Sequence, residues 1–291
     1  MLPVQNITKQ DFEDLIGDFE DLNGLYNIPD TWYFAAPGLN ASSLRDFVVS
    51  PLRYKIRKSM PRTQTPAMVM GSAIHCKVLE PHLFDDKYLV TPQFSGSKTK
   101  LKANGGCREA WDQFKKDSET CGKDVLDYWD NQNITQIDLL IKSHKPYRTI
   151  LDNSYKEVSA FWTCKATGLK LKARFDMISE QFGISDLKTT SKGVENFMVE
   201  RQISDGYWLQ MGFYLKAVRE MPELESVRYI GSWLFQSVSP GYESSLVYID
   251  QFPEKKIDKL VQSFADCYKT QDFPTIYHES HKMELPPWIM N

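Results

Sequence analysis

The feature that most constrains the fold of this sequence is a change in the spacing of its apolar residues at Tyr155. Upstream of Tyr155, apolar side chains recur every three or four residues, and from there to Thr190 they alternate with polar ones. Alternation is typical of a strand with one buried face, because successive side chains point to opposite sides of a sheet. The segments KEVSAFWTC, GLKLKARFDMIS and FGISDLKTT therefore predict three consecutive antiparallel strands.

Helical spacing on both sides of these strands predicts a layered α/β (α+β) fold, in which helices flank a central mixed β-sheet. The further predicted elements are a helix that starts at Asn40 or Ser42 and is split by Pro51, a helix over 67–80, two helices within 107–145, a helix over 206–219, a strand pair over 227–238 and 242–250, and a helix over 254–269. In the first helix, we expect one buried stripe formed by Leu44, Phe47, Val48 and Leu52.

Residues 1–38 differ in character from the remainder of the chain. They contain the acidic stretch DFEDLIGDFEDLNG, then Pro29 and a Trp-Tyr-Phe cluster. This pattern predicts a short helix followed by an irregular arm that packs its aromatic side chains. The sequence shows no internal repeat and no linker rich in Pro, Gly or Ser, so residues 39–291 are expected to form a single domain.

Composition narrows the class of protein. No run approaches the roughly 18 to 20 apolar residues that span a bilayer, and the first residues lack the pattern of a signal peptide, so we expect a cytoplasmic protein with no membrane partner. The five cysteines are scattered and never spaced as C-x-x-C, which argues against a disulfide framework or a zinc site. A net charge of −3 argues against non-specific coating of a polyanion but leaves room for a local basic groove.

Two carboxylates are predicted to face each other across the second and third strands. If the hairpin turns about Gln181, Asp176 lies opposite Asp186, because the two numbers are symmetric about that residue. Facing residues on antiparallel strands have Cβ atoms about 4.5–5.5 Å apart, and like charges so placed are destabilising. The repulsion therefore needs a compensating positive charge.

Two sources of that charge remain open from the spacing alone. A divalent cation such as Mg²⁺ binds carboxylate and carbonyl oxygens and keeps waters for exchange with a phosphate. Alternatively, Arg174 and Lys188 neutralise the carboxylates as a cross-strand ion network. A pair of Asp residues with a nearby Lys also suits phosphodiester hydrolysis, where a metal polarises the phosphoryl oxygen and a cation stabilises developing charge.

Three matched segments resemble the PD-(D/E)xK nuclease superfamily. Asp176 followed by ISDLKTT, with Asp186, Leu187 and Lys188, is similar to its defining motif. The segment GSAIHCKVLEP resembles the helix that supplies a metal-binding His in the RecB-like branch, and QMGFY matches that branch's Gln-x-x-x-Tyr motif. The similarity is closest to the RecE, or exonuclease VIII-type, phage exonucleases, and it implies a restriction-endonuclease-like fold.

The resemblance implies a role for each matched residue. The divalent ions, Mg²⁺ with Mn²⁺ as a substitute, would be bound by His75, Asp176, Asp186 and the backbone carbonyl of Leu187. Lys188 would serve the attacking water or the scissile phosphate. The residues expected to contact DNA are Ser42 at a helix start, Gln210 and Tyr214 beside the site, and the basic loop residues Lys98, Lys100 and Lys102.

Each of these residues also has a structural alternative. A histidine in the position of His75, taken alone, is more often a partly buried helix residue than a metal ligand. Gln210 and Tyr214, at positions i and i+4 of a helix, can support each other or the core. The loop with the three lysines can be a solvent-exposed loop with no role in DNA binding. Two features depart from the family pattern. The cysteines needed for an iron-sulfur cluster are missing, so no cluster is expected. Glu80 lies about 140° around the helix from His75, so its side chain is expected to point away from the site. We therefore expect Glu157 to act as the auxiliary carboxylate.

The activity implied by the resemblance is Mg²⁺-dependent exodeoxyribonuclease action on the ends of linear double-stranded DNA. The family works 5′→3′ and leaves 3′ single strands for an annealing protein, in bacterial or phage-infected cells, and homo-oligomers are expected. Two alternatives remain open: a structure-selective endonuclease or single-strand DNase on the same fold, and a non-catalytic DNA-binding or protein-interaction module. The last would be expected to carry a broken Asp, Asp, Lys set, which this sequence does not.

Overall fold

A computed structural model describes residues 1–17, 22–61, 64–91 and 105–276. The helices are α1 (Lys9–Gly17), α2 (Asp30–Ala35), α3 (Ala41–Val49), α4 (Pro51–Ser59), α5 (Pro66–Leu79), α6 (Phe84–Lys87), α7 (Gly105–Cys121), α8 (Tyr128–Ser143), α9 (Lys145–Asp152), α10 (Asn196–Gln202), α11 (Trp208–Glu220) and α12 (Glu254–Thr270). The strands are β1 (Val4–Asn6), β2 (Gly24–Asn27), β3 (Tyr88–Val90), β4 (Asp124–Leu126), β5 (Tyr155–Thr163), β6 (Lys170–Ser179), β7 (Gly183–Thr190), β8 (Gly231–Ser237) and β9 (Ser244–Ile249).

A seven-stranded mixed sheet in the order β1-β2-β5-β6-β7-β8-β9 forms the centre of the molecule. The pairs β1·β2 and β7·β8 are parallel and the other neighbours are antiparallel. One buried cluster joins the sheet to α3, α11 and α12, and another joins it to α5, α8 and α9. The predicted central mixed sheet flanked by helices is therefore confirmed, as are the three consecutive strands of the Tyr155–Thr190 block.

The β6·β7 hairpin opens into a fork partway along its length. Only Met177–Ser179 of β6 pair with β7, in a register symmetric about Gln181 as predicted. Beyond this point β6 continues against β5, and β7 continues against β8. Leu39 fills part of the edge that β7 leaves free, since its backbone exchanges hydrogen bonds with Lys170 and Lys172.

Residues 1–38 differ from the irregular arm predicted for them. They contribute β1 and β2 to the sheet edge, where β2 pairs with β5, and α2 lies over the polar side of β6. A third buried cluster, which includes Tyr26, Tyr33 and Phe161, forms beneath this segment. The strands were missed because each has only three or four residues, too few to show a period.

Pro51 divides the first predicted helix, as expected, and becomes the first residue of α4. The predicted stripe is only half right, because Leu44 and Phe47 are buried whereas Val48 and Leu52 are each 37% exposed. The break at Pro51 turns the second half of the pattern away from the core. Within the described ranges, no helix has both the length and the apolar character required to cross a bilayer.

Candidate metal centre

Helix α5 carries His75 to the fork. Thr65 caps the helix by accepting a hydrogen bond from the Met68 amide, and Pro66 occupies its first position. One turn before His75, a Cβ on Gly71 would lie 3.2 Å from Thr189 Oγ1, so the missing side chain allows the helix to approach β7 closely. His75 consequently lies with Nδ1 3.5 Å from Asp176 Oδ2, and it hydrogen-bonds the backbone of Leu187.

Three carboxylates stand in one row across three adjacent strands. The β5·β6 pairs on either side of Glu157 place it opposite Asp176. Asp176 and Asp186 come one residue beyond the last β6·β7 pair, Met177 and Ser185, so continuing that register brings them opposite each other. Glu157 has a positive φ of 53° and drops out of the ladder, which is the mark of a local irregularity at a site. The row lies where β6 and β7 separate.

The structure gathers His75, Glu157 and Asp176 into one group whose potential ligand atoms all lie within 4.8 Å of one another. Glu157 was expected only as an auxiliary carboxylate, yet it belongs to this group. Asp186 lies alongside and not within it, because its carboxylate contacts Lys188 and accepts a 3.1 Å hydrogen bond from Gln210 Nε2. The Leu187 amide also donates a 2.9 Å hydrogen bond to Asp176 Oδ2, so the backbone of β7 fixes the position of the Asp176 carboxylate.

Burial and neighbouring negative charges shift the pKa values of all three members of this group. Burial raises the pKa of Glu157 from its ordinary 4.5 to about 7, and the nearby charge of Asp176 adds to the rise despite the opposing effect of Arg174. Burial and then the charge of Asp186 likewise raise the pKa of Asp176. Burial lowers the pKa of His75, which leaves a neutral imidazole able to bind a cation.

Lys188 lies on the same side of β7 as Asp186 and forms an ion pair with it. Burial lowers the pKa of Lys188, but the carboxylates of Asp186 and Asp176 outweigh that effect, and the net change is upward. Its Nζ lies 4.9 Å from the centre of the Tyr207 ring, a cation–π contact that the sequence did not predict. Lys188 therefore remains charged and is held between a carboxylate and an aromatic face.

The predicted pair Gln210 and Tyr214 lies on α11, next to Asp186. Gln210 Nε2 donates to Asp186 Oδ1 at 3.1 Å and lies 2.8 Å from the Tyr214 hydroxyl. Tyr214 is buried, and its ring packs edge-on against Phe175 with 5.2 Å between ring centres. The two residues do support each other, and they orient the Asp186 carboxylate; contact with DNA remains a prediction for both.

A second acidic group, absent from the sequence predictions, adjoins the first and shares Glu157 with it. Its other members are Asp30 of α2 and Glu80, which follows the last residue of α5. Arg174 joins the groups, with contacts of 2.7 Å to Glu157 and 3.0 Å to Asp30. Glu80 comes this close because the helix has ended and its backbone is not helical, so the 140° argument does not apply to it.

The remaining predicted residues fall in two places. Asn40, not Ser42, caps α3 by accepting a 2.8 Å hydrogen bond from the Ser43 amide. Ser42 is exposed in the first turn, on the helix face that it shares with Arg45. The predicted basic loop residues lie outside the described part of the chain: Lys98, Lys100 and Lys102.

The donor set fits a divalent cation. Five carboxylates lie close to three cationic side chains, which gives a formal charge of −2 when every carboxylate is ionised. The carboxylates are Asp30, Glu80, Glu157, Asp176 and Asp186, and the cations are Lys87, Arg174 and Lys188. Carboxylate oxygens suit Mg²⁺, and the addition of imidazole suits Mn²⁺. The ion network expected as the alternative is only partly formed, because Lys188 pairs with Asp186 whereas Arg174 pairs with Glu157 and Asp30.

Comparison with known proteins agrees with this architecture. The crystal structure of a "putative exonuclease" from Eubacterium rectale aligns over 91% of this chain and 97% of its own, with a TM-score of 0.54 and 13% identity, which shows a shared fold. A crystal structure of the protein SSO0001 covers 69% of this chain and 87% of its own at 15% identity, but its TM-score of 0.29 supports no conclusion. No curated protein matches the sequence.

Residues 41–273 match the family described as a PDDEXK-like domain of unknown function (DUF3799). The matched range begins at the first residue of α3 and runs past the end of α12, so it contains the fork, the helix that carries His75 and the helix that carries Gln210. Because the matched range covers most of its length, this chain belongs to the PDDEXK-like domain family DUF3799.

Proposed function

We propose that the protein is a Mg²⁺-dependent exodeoxyribonuclease that hydrolyses phosphodiester bonds from the ends of linear double-stranded DNA. We infer RecE-like action, 5′→3′, with the 3′ strand left for an annealing protein. The observation that carries the proposal is the row of three carboxylates at the fork, with an imidazole on one side and the Lys188 ammonium on the other. Membership of a PDDEXK-like family supports it.

The residues present divide the work of such a reaction. His75, Glu157 and Asp176 would hold the metal, with Asp186 and the Leu187 carbonyl beside them, and a bound Mg²⁺ would polarise the phosphoryl oxygen and lower the pKa of water. Lys188 presents a permanent positive charge where negative charge develops on the phosphate. Gln210 holds Asp186 in one orientation, which keeps Lys188 in place as well.

Action at DNA ends is the finer part of the proposal. It is supported by the motif resemblance to RecE-type enzymes and by the exonuclease activity named for the Eubacterium rectale protein that shares this fold. We include a homo-oligomer in the proposal, because a ring of subunits would let an end-dependent enzyme encircle its substrate. We also propose that it acts in the cytoplasm.

Timed digestion tests these statements separately. A linear duplex labelled at one 5′ end is incubated with Mg²⁺, with Mn²⁺ and with chelator, beside a closed circular duplex of the same sequence. We expect metal-dependent loss of the linear duplex, early release of the 5′ label as short products, and an intact circle. The Asp186→Asn protein is the control, and it should leave both substrates intact.

The possible results distinguish the levels of the proposal. Cleavage of the closed circle would replace end-dependence with endonuclease action. Late release of the 5′ label would reverse the polarity. Failure of the folded protein to cleave any DNA with either metal would overturn the nuclease assignment itself.

A further inference from the structure

Three consecutive residues where α10 joins α11 each contact a cationic side chain from a different element. Arg45 of α3 approaches Gly206, with its Cδ 3.4 Å from where a Cβ on that glycine would be. Lys188 of β7 lies with Nζ 4.9 Å from the centre of the Tyr207 ring. Lys256 of α12 lies with Nζ 4.5 Å from the centre of the Trp208 ring. This turn thus lies close to three positive side chains, one of which is the candidate catalytic lysine.

The backbone of this turn is unusual. The helical path is kinked at Gly206, whose φ of 149° is one that side-chain-bearing residues rarely adopt. Directly after this kink, the rings of Tyr207 and Trp208 contact the ammonium groups of Lys188 and Lys256.

The acidic side chains at the start of α12 pair with another helix and not with the neighbouring lysines of α12. Glu254 pairs with Arg219 at 2.7 Å, and Asp258 pairs with Lys216 at 2.7 Å and with Arg219 at 2.6 Å. These contacts draw both acidic side chains towards α11. Throughout the described ranges, Arg45, Lys255, Lys256 and Lys259 form no ion pair with a carboxylate, and all four are exposed.

The α12 lysines also line a surface groove. Lys255, Lys256 and Lys259 border an open space of about 620 Å³ together with Phe252, Pro253 and Glu254, and Glu254 is paired with Arg219. On the other side of the turn, Arg45 lies on the same helix face as Ser42. We call Arg45, Lys255, Lys256 and Lys259 the cationic rim.

We propose that the cationic rim binds the sugar-phosphate backbone of the DNA next to the cleavage site and guides it towards Lys188. This inference rests on the proposed function and adds to it the surface that holds the substrate. Contact with an aromatic face fixes the direction of the Lys256 ammonium without neutralising it. Phosphate contacts of this kind release counterions and contribute affinity that does not depend on base sequence. The rim accordingly acts in substrate binding and not in the bond-breaking step.

The test is the salt dependence of DNA binding by the full chain. A fluorescein-labelled 30-base-pair duplex is titrated with wild-type protein in chelator, which prevents cleavage, over a range of KCl concentrations. The variant is Arg45→Gln with Lys256→Gln. Its matched control is Lys145→Gln with Lys165→Gln, which removes the same charge from exposed residues on α9 and on the β5–β6 turn.

We expect the rim variant to bind at least about tenfold more weakly, and its plot of log K against log [KCl] to be less steep by about two, one for each lost phosphate contact. With Mg²⁺ its KM for linear duplex should rise while kcat stays within about twofold of the wild-type value. The control pair should bind with the wild-type affinity and slope. Thermal unfolding of all proteins verifies that they are folded.

Wild-type affinity and slope in the rim variant, or an equal loss in the control pair, would overturn the inference while leaving the proposed function standing. A fall in kcat without a rise in KM would also count against it, because it would place these residues in the chemical step. Absence of both binding and cleavage in the wild-type protein would instead remove the proposed function, and the rim's role with it.

Discussion

The negative charge of the carboxylates at the fork is only partly balanced by positive side chains of the protein. Glu157, Asp176 and Asp186 are all largely shielded from water, and Lys188 and Arg174 balance only part of their charge. Buried charges are costly unless they are paired. The metal-free site should therefore be a local weak point that binding of a cation relieves.

Replacing Asp176 by Asn should separate stability from activity. The asparagine oxygen can still accept the hydrogen bond from Leu187, while the repulsion from Asp186 and Glu157 disappears. We expect the metal-free protein to gain about 1 kcal/mol in its free energy of unfolding, with DNA cleavage reduced at least about a hundredfold. Urea denaturation in chelator and a cleavage assay in Mg²⁺ measure the two effects. A variant that is both less stable and fully active would contradict the assignment.

Stabilisation by metal should depend on pH near neutrality. A carboxyl whose folded pKa is raised keeps its proton to a higher pH than in the unfolded chain, so the stability that it contributes is lost as pH rises from about 4.5 through about 7 for Glu157. A metal binds the deprotonated form, and its stabilising effect grows over the same interval. We therefore expect the increase in Tm caused by Mg²⁺ to be larger at pH 8 than at pH 6.

Thermal unfolding at pH 6, 7 and 8, with Mg²⁺ and with chelator, measures this dependence. The Glu157→Gln protein is the control, and its metal-induced increase in Tm should be smaller and should change less with pH. An increase in Tm that is constant or falls between pH 6 and 8 in the wild-type protein would argue against carboxyl groups with raised pKa values as metal ligands.

At the scale of elements, α2 is fastened to the sheet by a buried lysine. Lys172 of β6 is 4% exposed and donates hydrogen bonds to the backbone carbonyls of Tyr33, at 2.8 Å, and of Ala36, while its Nζ lies 4.8 Å from the Tyr33 ring centre. These carbonyls belong to the end of α2, where helix acceptors otherwise lack partners. The same contact places Asp30, at the start of α2, beside Arg174.

Replacing Lys172 by Met should loosen α2 more than the rest of the molecule. The buried carbonyls would lose their donor, and we expect a loss of about 2 kcal/mol in the free energy of unfolding. Hydrogen exchange should quicken in residues 30–36, as measured by mass spectrometry, while α11 keeps its protection. Lys165→Met, at an exposed turn position, serves as the control. Unchanged exchange in residues 30–36 would show that the lysine does not hold the helix.

At the scale of the whole molecule, residues 1–38 complete the sheet and the acidic cluster. Strand β2 covers the edge of β5 through Ser159, Ala160 and Phe161, and the Ile28 carbonyl accepts a 2.8 Å hydrogen bond from Arg174. An uncovered strand edge is a template for pairing with other chains. The family match begins only at residue 41, yet the structure ties the preceding residues to the site.

A chain that begins at residue 39 should consequently be less stable and prone to self-association. We expect its Tm to fall by at least about 5 °C and its elution in size-exclusion chromatography with light scattering to shift to larger species. A chain that begins at residue 4 keeps both strands and serves as the control. A monodisperse truncated protein with the original Tm would show that the first two strands are dispensable.

The sequence by itself determined the features that depend on neighbours along the chain. The alternation from Tyr155 to Thr190 predicted three strands, and symmetry about Gln181 predicted the register in which residues 177–179 pair with residues 183–185, because side-chain direction in a strand follows from residue number. The tertiary structure alone decided which distant residues meet. The start of α2, the end of α5 and the point where β6 and β7 separate lie together, and this brings four distant residues into contact: Asp30, Glu80, Glu157 and Arg174. No periodic pattern encodes contacts between residues so far apart in the chain.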